Sequence, residues 1–246
     1  MQVTVLHKSA CLMDRQLDSA AAGLLRQALE RKGLQFRMRA ETAAILGTGG
    51  SGSCNGSGGG VRAGAVQLAD GSVITADLVV MTAGVRPDIG LAQSAGLFCE
   101  RAIVVDDTLQ SYDPRIYAVG ECVQHRQATF GLVAPIWDQA RVCGAHLAGA
   151  GHRRYVQQAT ATRLKVSGID LYSAGDTVGG AGTEDLLLRD PRHGVYKRLI
   201  LQDRRLVGAV LYGDVADGGF YFDLIQSGAD ISAQRHTLVF GPAAEA

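Results

Sequence analysis

The sequence predicts an α/β fold followed by a small α+β carboxyl-terminal domain, and three observations carry that expectation. A strand–helix–strand pattern fills residues 3–39, an Asp-Gly hairpin signal sits at Asp70-Gly71, and after residue 150 the pattern changes to short apolar strands with one late helix.

Residues 3–6 form a short apolar run that reads as a buried strand. From Leu17, apolar residues recur at Ala21, Leu24, Leu25, Ala28 and Leu29, which is the spacing of one face of an α-helix. Asp14 or Asp18 can cap its start, and Gly33 can take the left-handed conformation that ends it. Leu34, Phe36 and Met38 then alternate with Gln35, Arg37 and Arg39, the period of a strand with one buried face. Strand, helix and strand in that order predict a right-handed parallel crossover.

Residues 47–60 are almost all Gly and Ser, offer no side chains to bury, and read as a flexible loop. The segment lacks the Gly-Lys-Ser/Thr ending of a phosphate loop, and no helix follows it. Residues 61–68 and 73–81 flank Ala69-Asp70-Gly71, so the loop decorates a small antiparallel sheet. Strands are expected at 103–105 and 116–119, and a helix at 135–147 with Ile136, Ala140, Cys143, Gly144 and Leu147 along one face. Beyond Gly149-Ala150-Gly151, strands are expected at 186–188, 197–201 and 206–211, and a helix at 218–226 before Gly228.

With 246 residues, 47% of them hydrophobic, the chain can build one large core or two small ones and reads as soluble and globular. Lys plus Arg and Asp plus Glu number 24 each, so the charge balance points to neither nucleic acid nor an anionic membrane surface. The longest apolar stretch, residues 78–85, falls far short of the roughly 20 residues of a spanning helix, and no signal-peptide pattern opens the chain; a cytoplasmic location is expected. Cys11, Cys54, Cys99, Cys122 and Cys143 are scattered without a Cys-x-x-Cys pair, and read as reduced, mostly structural thiols.

The segment Ile116-Tyr117-Ala118-Val119-Gly120-Glu121 has the character of an apolar strand ending in glycine and a carboxylate, with a helix beyond. That pattern suits a flavin nucleotide. Gly120 leaves room for a pyrophosphate to approach the backbone, Glu121 can accept hydrogen bonds from ribityl hydroxyls, and the later helix can direct its positive end at the cofactor. Alone, Gly-Glu after a strand equally fits a strand end with a solvated acid.

Thr108 through Glu121 resembles the second FAD motif of two-dinucleotide-fold flavoprotein reductases. Met81-Thr82-Ala83-Gly84-Val85-Arg86-Pro87-Asp88 resembles their mid-chain Ala-Thr-Gly motif. In these segments the chain is similar to pyridine nucleotide–disulfide oxidoreductases. A narrower resemblance spans nearly the whole chain through Leu12-Met13-Asp14-Arg15-Gln16-Leu17-Asp18, Gly131-Leu132-Val133-Ala134-Pro135, Leu164-Lys165-Val166-Ser167-Gly168-Ile169-Asp170 and Tyr212-Gly213-Asp214. It is to the flavin region of assimilatory nitrite reductases and the electron-transfer subunits of assimilatory nitrate reductases, with NADH–rubredoxin reductases as more distant relatives.

The resemblance implies a partial two-dinucleotide-binding, Rossmann-like FAD/NAD(P) reductase fold. It divides the chain into an incomplete NAD(P)-binding domain at 1–88, the end of an FAD-binding domain at 89–150 and the α+β domain at 151–246. The implied chemistry passes a hydride from NAD(P)H to FAD and then single electrons to a sirohaem and iron–sulfur nitrite reductase region or subunit. A homo-oligomer is compatible with it. Gly120 and Glu121 would meet the FAD pyrophosphate and ribityl chain, and Pro135 would lie beside the isoalloxazine. Lys165 would reach the flavin's pyrimidine end, or is simply an exposed charge at a strand start. Ala83 and Gly84 would form the close turn under the nicotinamide nucleotide; without the resemblance they are a turn after a strand. His7, beside Lys8 at the end of the first strand, leans toward tolerance of a ribose phosphate and equally fits solvated surface, leaving NAD or NADP open.

Such enzymes need two Gly-x-Gly-x-x-Gly turns, and neither is in this sequence, so the chain is expected to be an amino-terminally truncated fragment, inactive alone. The rival expectations are an NADH–rubredoxin-type reductase and a non-catalytic interaction protein derived from such an enzyme.

Overall fold

The computed structural model describes residues 1–47 and 62–242. Val3–His7 (β1) runs parallel to Leu34–Met38 (β2), in register from Val3 opposite Leu34 to His7 opposite Met38, so the expected parallel pair forms. Between them lies Ser19–Arg31 (α1). Of the two candidate caps Asp18 is the one used: its Oδ1 accepts the Ala21 N–H at 2.8 Å and satisfies one of the unpaired donors of the first turn. Gly33, at φ +90°, turns the chain out of the helix, as the sequence predicts.

Thr42–Gly47 (β3), Ala63–Leu68 (β4) and Val73–Thr75 (β5) form an antiparallel sheet. Its β4–β5 turn is the expected Asp-Gly turn, with Asp70 Oδ1 accepting the Ser72 N–H at 2.9 Å and Gly71 at φ +85°. β3 was not expected, because Thr-Ala-Ala-Ile-Leu-Gly is poor in the β-branched and aromatic residues that mark a strand. The flexible-loop expectation for 47–60 falls, apart from Gly47, outside the described residues. β5 also ends earlier than expected. Residues 76–81 join no strand among the described residues, and Leu78, Val80 and Met81 are exposed. An apolar run becomes a strand only where a neighbour takes up its N–H and C=O groups.

The next stretch holds Gly90–Ser94 (α2), Ile103–Val105 (β6), Val123–His125 (β7), Ala128–Thr129 (β8) and Val133–Leu147 (α3). β6 pairs parallel with β7, and β7 antiparallel with β8. The strand expected at 116–119 is reduced to a single bridge between Tyr117 and Gln110, because the run has no longer partner among the described residues. The buried side of α3 is also turned from the expected one. Gln139, Val142 and Cys143 face inward while Leu147 is exposed, since the side that packs is the one toward Leu109, Ala118, Val123, Phe130 and Tyr155.

The carboxyl-terminal strands are Ala161–Val166 (β9), Ile169–Gly175 (β10), Glu184–Asp190 (β11), Val195–Gln202 (β12) and Arg205–Tyr212 (β13). They form one antiparallel sheet in the order β11-β12-β13-β10-β9. Gly218–Ser227 (α4) follows and ends at Gly228, which is left-handed at φ +59°. Alternation along the strands sends Leu199, Leu201, Ala209 and Leu211 toward Tyr221 of α4. Tyr196, Val210, Tyr212 and Leu171 pack on the other side with Leu17, Ala21, Leu25 and Leu29. The sheet is thus covered on both faces.

The chain divides into two compact units, residues 1–81 together with 161–246, and residues 82–160. The late sheet is apolar on both faces, α4 covers one, and α1 supplies the cover for the other, which joins residues 1–81 and 161–246 in one packed unit.

Candidate functional site

In the unit of residues 82–160, a chain of local hydrogen bonds builds the approach to Gly120. Asp106 Oδ1 accepts the Thr108 amide and hydroxyl, both at 2.7 Å, and the Gln110 amide at 3.1 Å. Burial works against its charge, but these donors hold the Asp106 carboxyl below the usual range. Leu109, fully buried, accepts the Ala118 N–H at 3.0 Å, and the Ser111 N–H reaches the Ile116 carbonyl at 2.9 Å. The segment from Thr108 to Val119 is therefore a folded-back arm whose end is delivered to a fixed place.

Gly120 closes that arm at φ +107°, a conformation L side chains rarely adopt. Its N–H is taken by Gln139 Oε1 of α3 at 2.9 Å, and a Cβ built on it would meet nothing within 4 Å. The face above Gly120 is open, so a group of a ligand can reach the backbone there. Glu121 is exposed and makes no hydrogen bond or ion pair among the described residues, leaving both carboxylate oxygens available. Pro135 sits half-buried in the first turn of α3, where a missing N–H costs no helical hydrogen bond. The arrangement fits the pyrophosphate and ribityl part of a flavin nucleotide, with an open glycine, an acceptor beside it and a helix start nearby.

Ala83 and Gly84 lie in the same unit and are exposed; Gly84 is at φ +79° with open space where a Cβ would stand. No hydrogen bond joins them to Gly120 or Glu121. His7 and Lys165 belong to the other unit. His7, at the end of β1, places Nε2 3.0 Å from the Cys11 carbonyl oxygen, and the neighbouring Lys8 pairs loosely with Glu41 at 3.8 Å. Lys165 is exposed on β9, opposite Asp170 in the register with β10. It stands within a strand, where the sequence suggests only its start. Of the predicted residues, then, the structure ties Gly120 to α3, leaves its neighbour Glu121 without a hydrogen bond among the described residues, and leaves Ala83 and Gly84 free of hydrogen bonds to either.

Three residues of this region escape a sequence reading. Gln139 is wholly buried, as are His125 and Tyr155 to within a few per cent. His125 Nε2 lies 2.8 Å from Asp107 Oδ1, and Arg126 contacts the same carboxylate; the His125 bond, with help from Arg126, holds the Asp107 carboxyl low against the effect of burial. The one available signal is a Gln between Ile136 and Cys143, a polar residue inside an otherwise apolar helical repeat. Cys122 and Cys143 have thiols pushed up by burial, which suits packing. Cys11, Cys99, Cys122 and Cys143 are all free thiols. Among the described residues no helix is long and apolar enough to cross a membrane.

Comparison with known proteins gives a consistent picture. Residues 1–148 match the model of the family described as pyridine nucleotide-disulphide oxidoreductase, and residues 161–229 match that of the rubredoxin NAD+ reductase C-terminal domain. Nitrite reductase [NAD(P)H] of Bacillus subtilis (strain 168) is 38% identical over 242 residues, 98% of this chain and 29% of its own length. The assimilatory nitrate reductase electron transfer subunit of the same organism is 38% identical over 239 residues, covering 97% of this chain and 29% of its own length. Among solved structures, an FAD-dependent pyridine nucleotide-disulphide oxidoreductase from Desulfovibrio vulgaris aligns with a TM-score of 0.74 at 24% identity, over 98% of this chain and 62% of that one. The fold is that of the FAD/NAD(P) reductases. The chain spans 29% of the length of these two curated relatives.

Proposed function

We propose that this chain, which belongs to the pyridine nucleotide-disulphide oxidoreductase family, is the flavin-facing part of an FAD-dependent NAD(P)H oxidoreductase that sends electrons toward nitrite reduction. The observation that carries the reading is the turn at Gly120, held open by Gln139 and followed by the uncommitted Glu121 carboxylate. FAD bound there would take a hydride from NAD(P)H and release electrons one at a time.

The chain's own residues do the holding. Gly120 would admit the pyrophosphate to the backbone, Glu121 would accept ribityl hydroxyls, and the start of α3 around Pro135 would lie beside the ring system. Ala83 and Gly84 would keep the nicotinamide side free of bulk, His7 would serve the adenosine ribose, and Lys165 would offset charge on the reduced flavin. The electron acceptor is a sirohaem and iron–sulfur region or subunit, and the working protein is compatible with a homo-oligomer. The domain assignment 1–88, 89–150 and 151–246 belongs to the same reading, with the two nucleotide domains each incomplete in this chain.

Fluorescence titration with FAD tests it. The chain alone is expected to bind less than one equivalent and to show no NAD(P)H oxidation. Supplying a glycine-rich FAD-binding segment in trans should raise binding to one equivalent, and Glu121→Ala should then weaken it by about 1–3 kcal/mol. Equal affinity without Glu121 would remove the flavin assignment. A second reading, an NADH–rubredoxin-type reductase delivering electrons to a small separate carrier, draws on the match of residues 161–229 to the rubredoxin NAD+ reductase C-terminal domain. Reduction of rubredoxin but not of a nitrite-reducing partner by the reconstituted protein would favour it.

A further inference from the structure

We propose that Gln139 is a positioning residue for the Gly120–Glu121 turn, and that Tyr155 and His125 fix the direction of its carboxamide through a buried polar relay. Gln139 Oε1 accepts the Gly120 N–H at 2.9 Å, which leaves Nε2 as a donor pointing elsewhere in the interior. Three buried side-chain atoms of this unit lack a hydrogen-bond partner among the described residues: Gln139 Nε2, Tyr155 Oη and His125 Nδ1. Buried polar atoms are rarely left so.

The three are chemically complementary. Asp107 can only accept, so His125 Nε2, at 2.8 Å from its Oδ1, carries a proton, and in the neutral ring Nδ1 is then an acceptor. Gln139 Nε2 is a donor, and the Tyr155 hydroxyl both donates and accepts. The groups also stand close. The His125 and Tyr155 rings meet edge to face with centroids 5.0 Å apart, and Phe130 packs on the other side of Tyr155 at 5.8 Å. The Gln139 carboxamide lies beside the Tyr155 hydroxyl without hydrogen-bond geometry, and only partly offsets the rise that burial imposes on that phenol. The Tyr155 N–H is itself tied to the Asp107 carbonyl at 2.7 Å.

Small rotations, or one bridging water, join the set in a single direction: Gln139 Nε2 to Tyr155, Tyr155 to His125 Nδ1, His125 Nε2 to Asp107. A flipped carboxamide would set a donor against the Gly120 N–H and strand its oxygen, so the relay holds the acceptor toward Gly120. Glu121 is then presented from a turn with one conformation. The benefit to a cofactor rests on the flavin reading above, whereas the relay itself does not.

The 246-residue chain without flavin provides the test, by amide hydrogen exchange at Gly120 and by ring-nitrogen spectra of His125. The expected results are a protected Gly120 amide and a His125 ring protonated at Nε2. Gln139→Met should cost roughly tenfold in Gly120 protection, while Gln139→Glu, whose protonated carboxyl offers the same acceptor and donor, should restore most of it. Tyr155→Phe should move the His125 Nδ1 resonance and leave the Nε2–H in place. Unchanged Gly120 exchange in Gln139→Met, equal loss in Met and Glu variants, or a His125 ring protonated at Nδ1 would overturn the proposal. Should Gln139→Met fail to fold, the Tyr155→Phe arm decides. No arm needs flavin, so failure of the flavin reading and failure of the relay are separable.

Discussion

In the five-stranded sheet, buried charge is answered within the fold: Lys197, almost wholly buried, reaches Asp214 and Asp217 at 2.8 Å each, and Arg198 pairs with Asp185 at 2.9 Å. In the unit of residues 82–160, by contrast, His125, Gln139 and Tyr155 each keep a buried polar atom without a hydrogen-bond partner, and Glu121 faces outward unengaged. The first region pairs its buried charge within the fold, and the second leaves buried polar atoms unpaired. The pairing at Lys197 is strong enough to reverse the effect of burial. Burial alone would lower its pKa, yet the Asp214 and Asp217 carboxylates raise it.

If the sheet is the stability-determining part, its core should respond most to truncation. Ile200→Ala, at a fully buried position, should cost about 4 kcal/mol in urea unfolding, while Val133→Ala on the exposed start of α3 should change stability by less than about 0.5 kcal/mol. Comparable losses at both sites would erase the contrast.

Lys197→Met should cost about 2–3 kcal/mol by the same measurement, because two carboxylates lose their shared cation. The figure stays below that of a wholly buried pair since Asp214 keeps substantial solvent contact. Acid should report the same pairing. The Lys197 hydrogen bond holds the Asp214 carboxyl below its usual range, so the unfolded chain binds that proton more readily than the folded one. The contribution is fully present above the ordinary aspartate value of about 3.9 and is lost as pH falls through the lower folded value. Urea midpoints taken at about pH 5 and about pH 3 should therefore differ less in Lys197→Met than in the parent.

A smaller effect is expected where α1 joins the sheet. Asp18 caps α1 and also accepts the Tyr196 hydroxyl at 2.7 Å. Asp18→Ala should cost about 1 kcal/mol, and Asp18→Asn, which keeps an acceptor oxygen for the helix, less than that. A thermal melt of the two variants separates capping from charge.

Much of the architecture was legible from local signals. The β1–α1–β2 unit, the Asp70-Gly71 turn, Gly33 and Gly228 as helix ends, and the β11–β13 strands all follow from spacing and from residues with restricted or permissive backbones. Those preferences act within a few residues, so one sequence window contains their cause. Gly120 and Glu121 were legible as candidates for the same reason, since a glycine followed by an acid after an apolar run is a local pattern.

What only the tertiary structure decided involves partners far apart in the chain. Tyr196 meeting Asp18, α1 covering the back of the late sheet, and Gln139 taking up the Gly120 N–H each pair residues whose own surroundings give no hint of the other. The runs at 78–81 and 116–119 teach the converse. Their apolar residues promise strands, but a strand exists only when a neighbour accepts its backbone hydrogen bonds, and no window of sequence states whether that neighbour is there. Composition and periodicity determine what each segment can form; the hydrogen-bond partners and the covering faces supplied by distant segments determine which of those possibilities is taken.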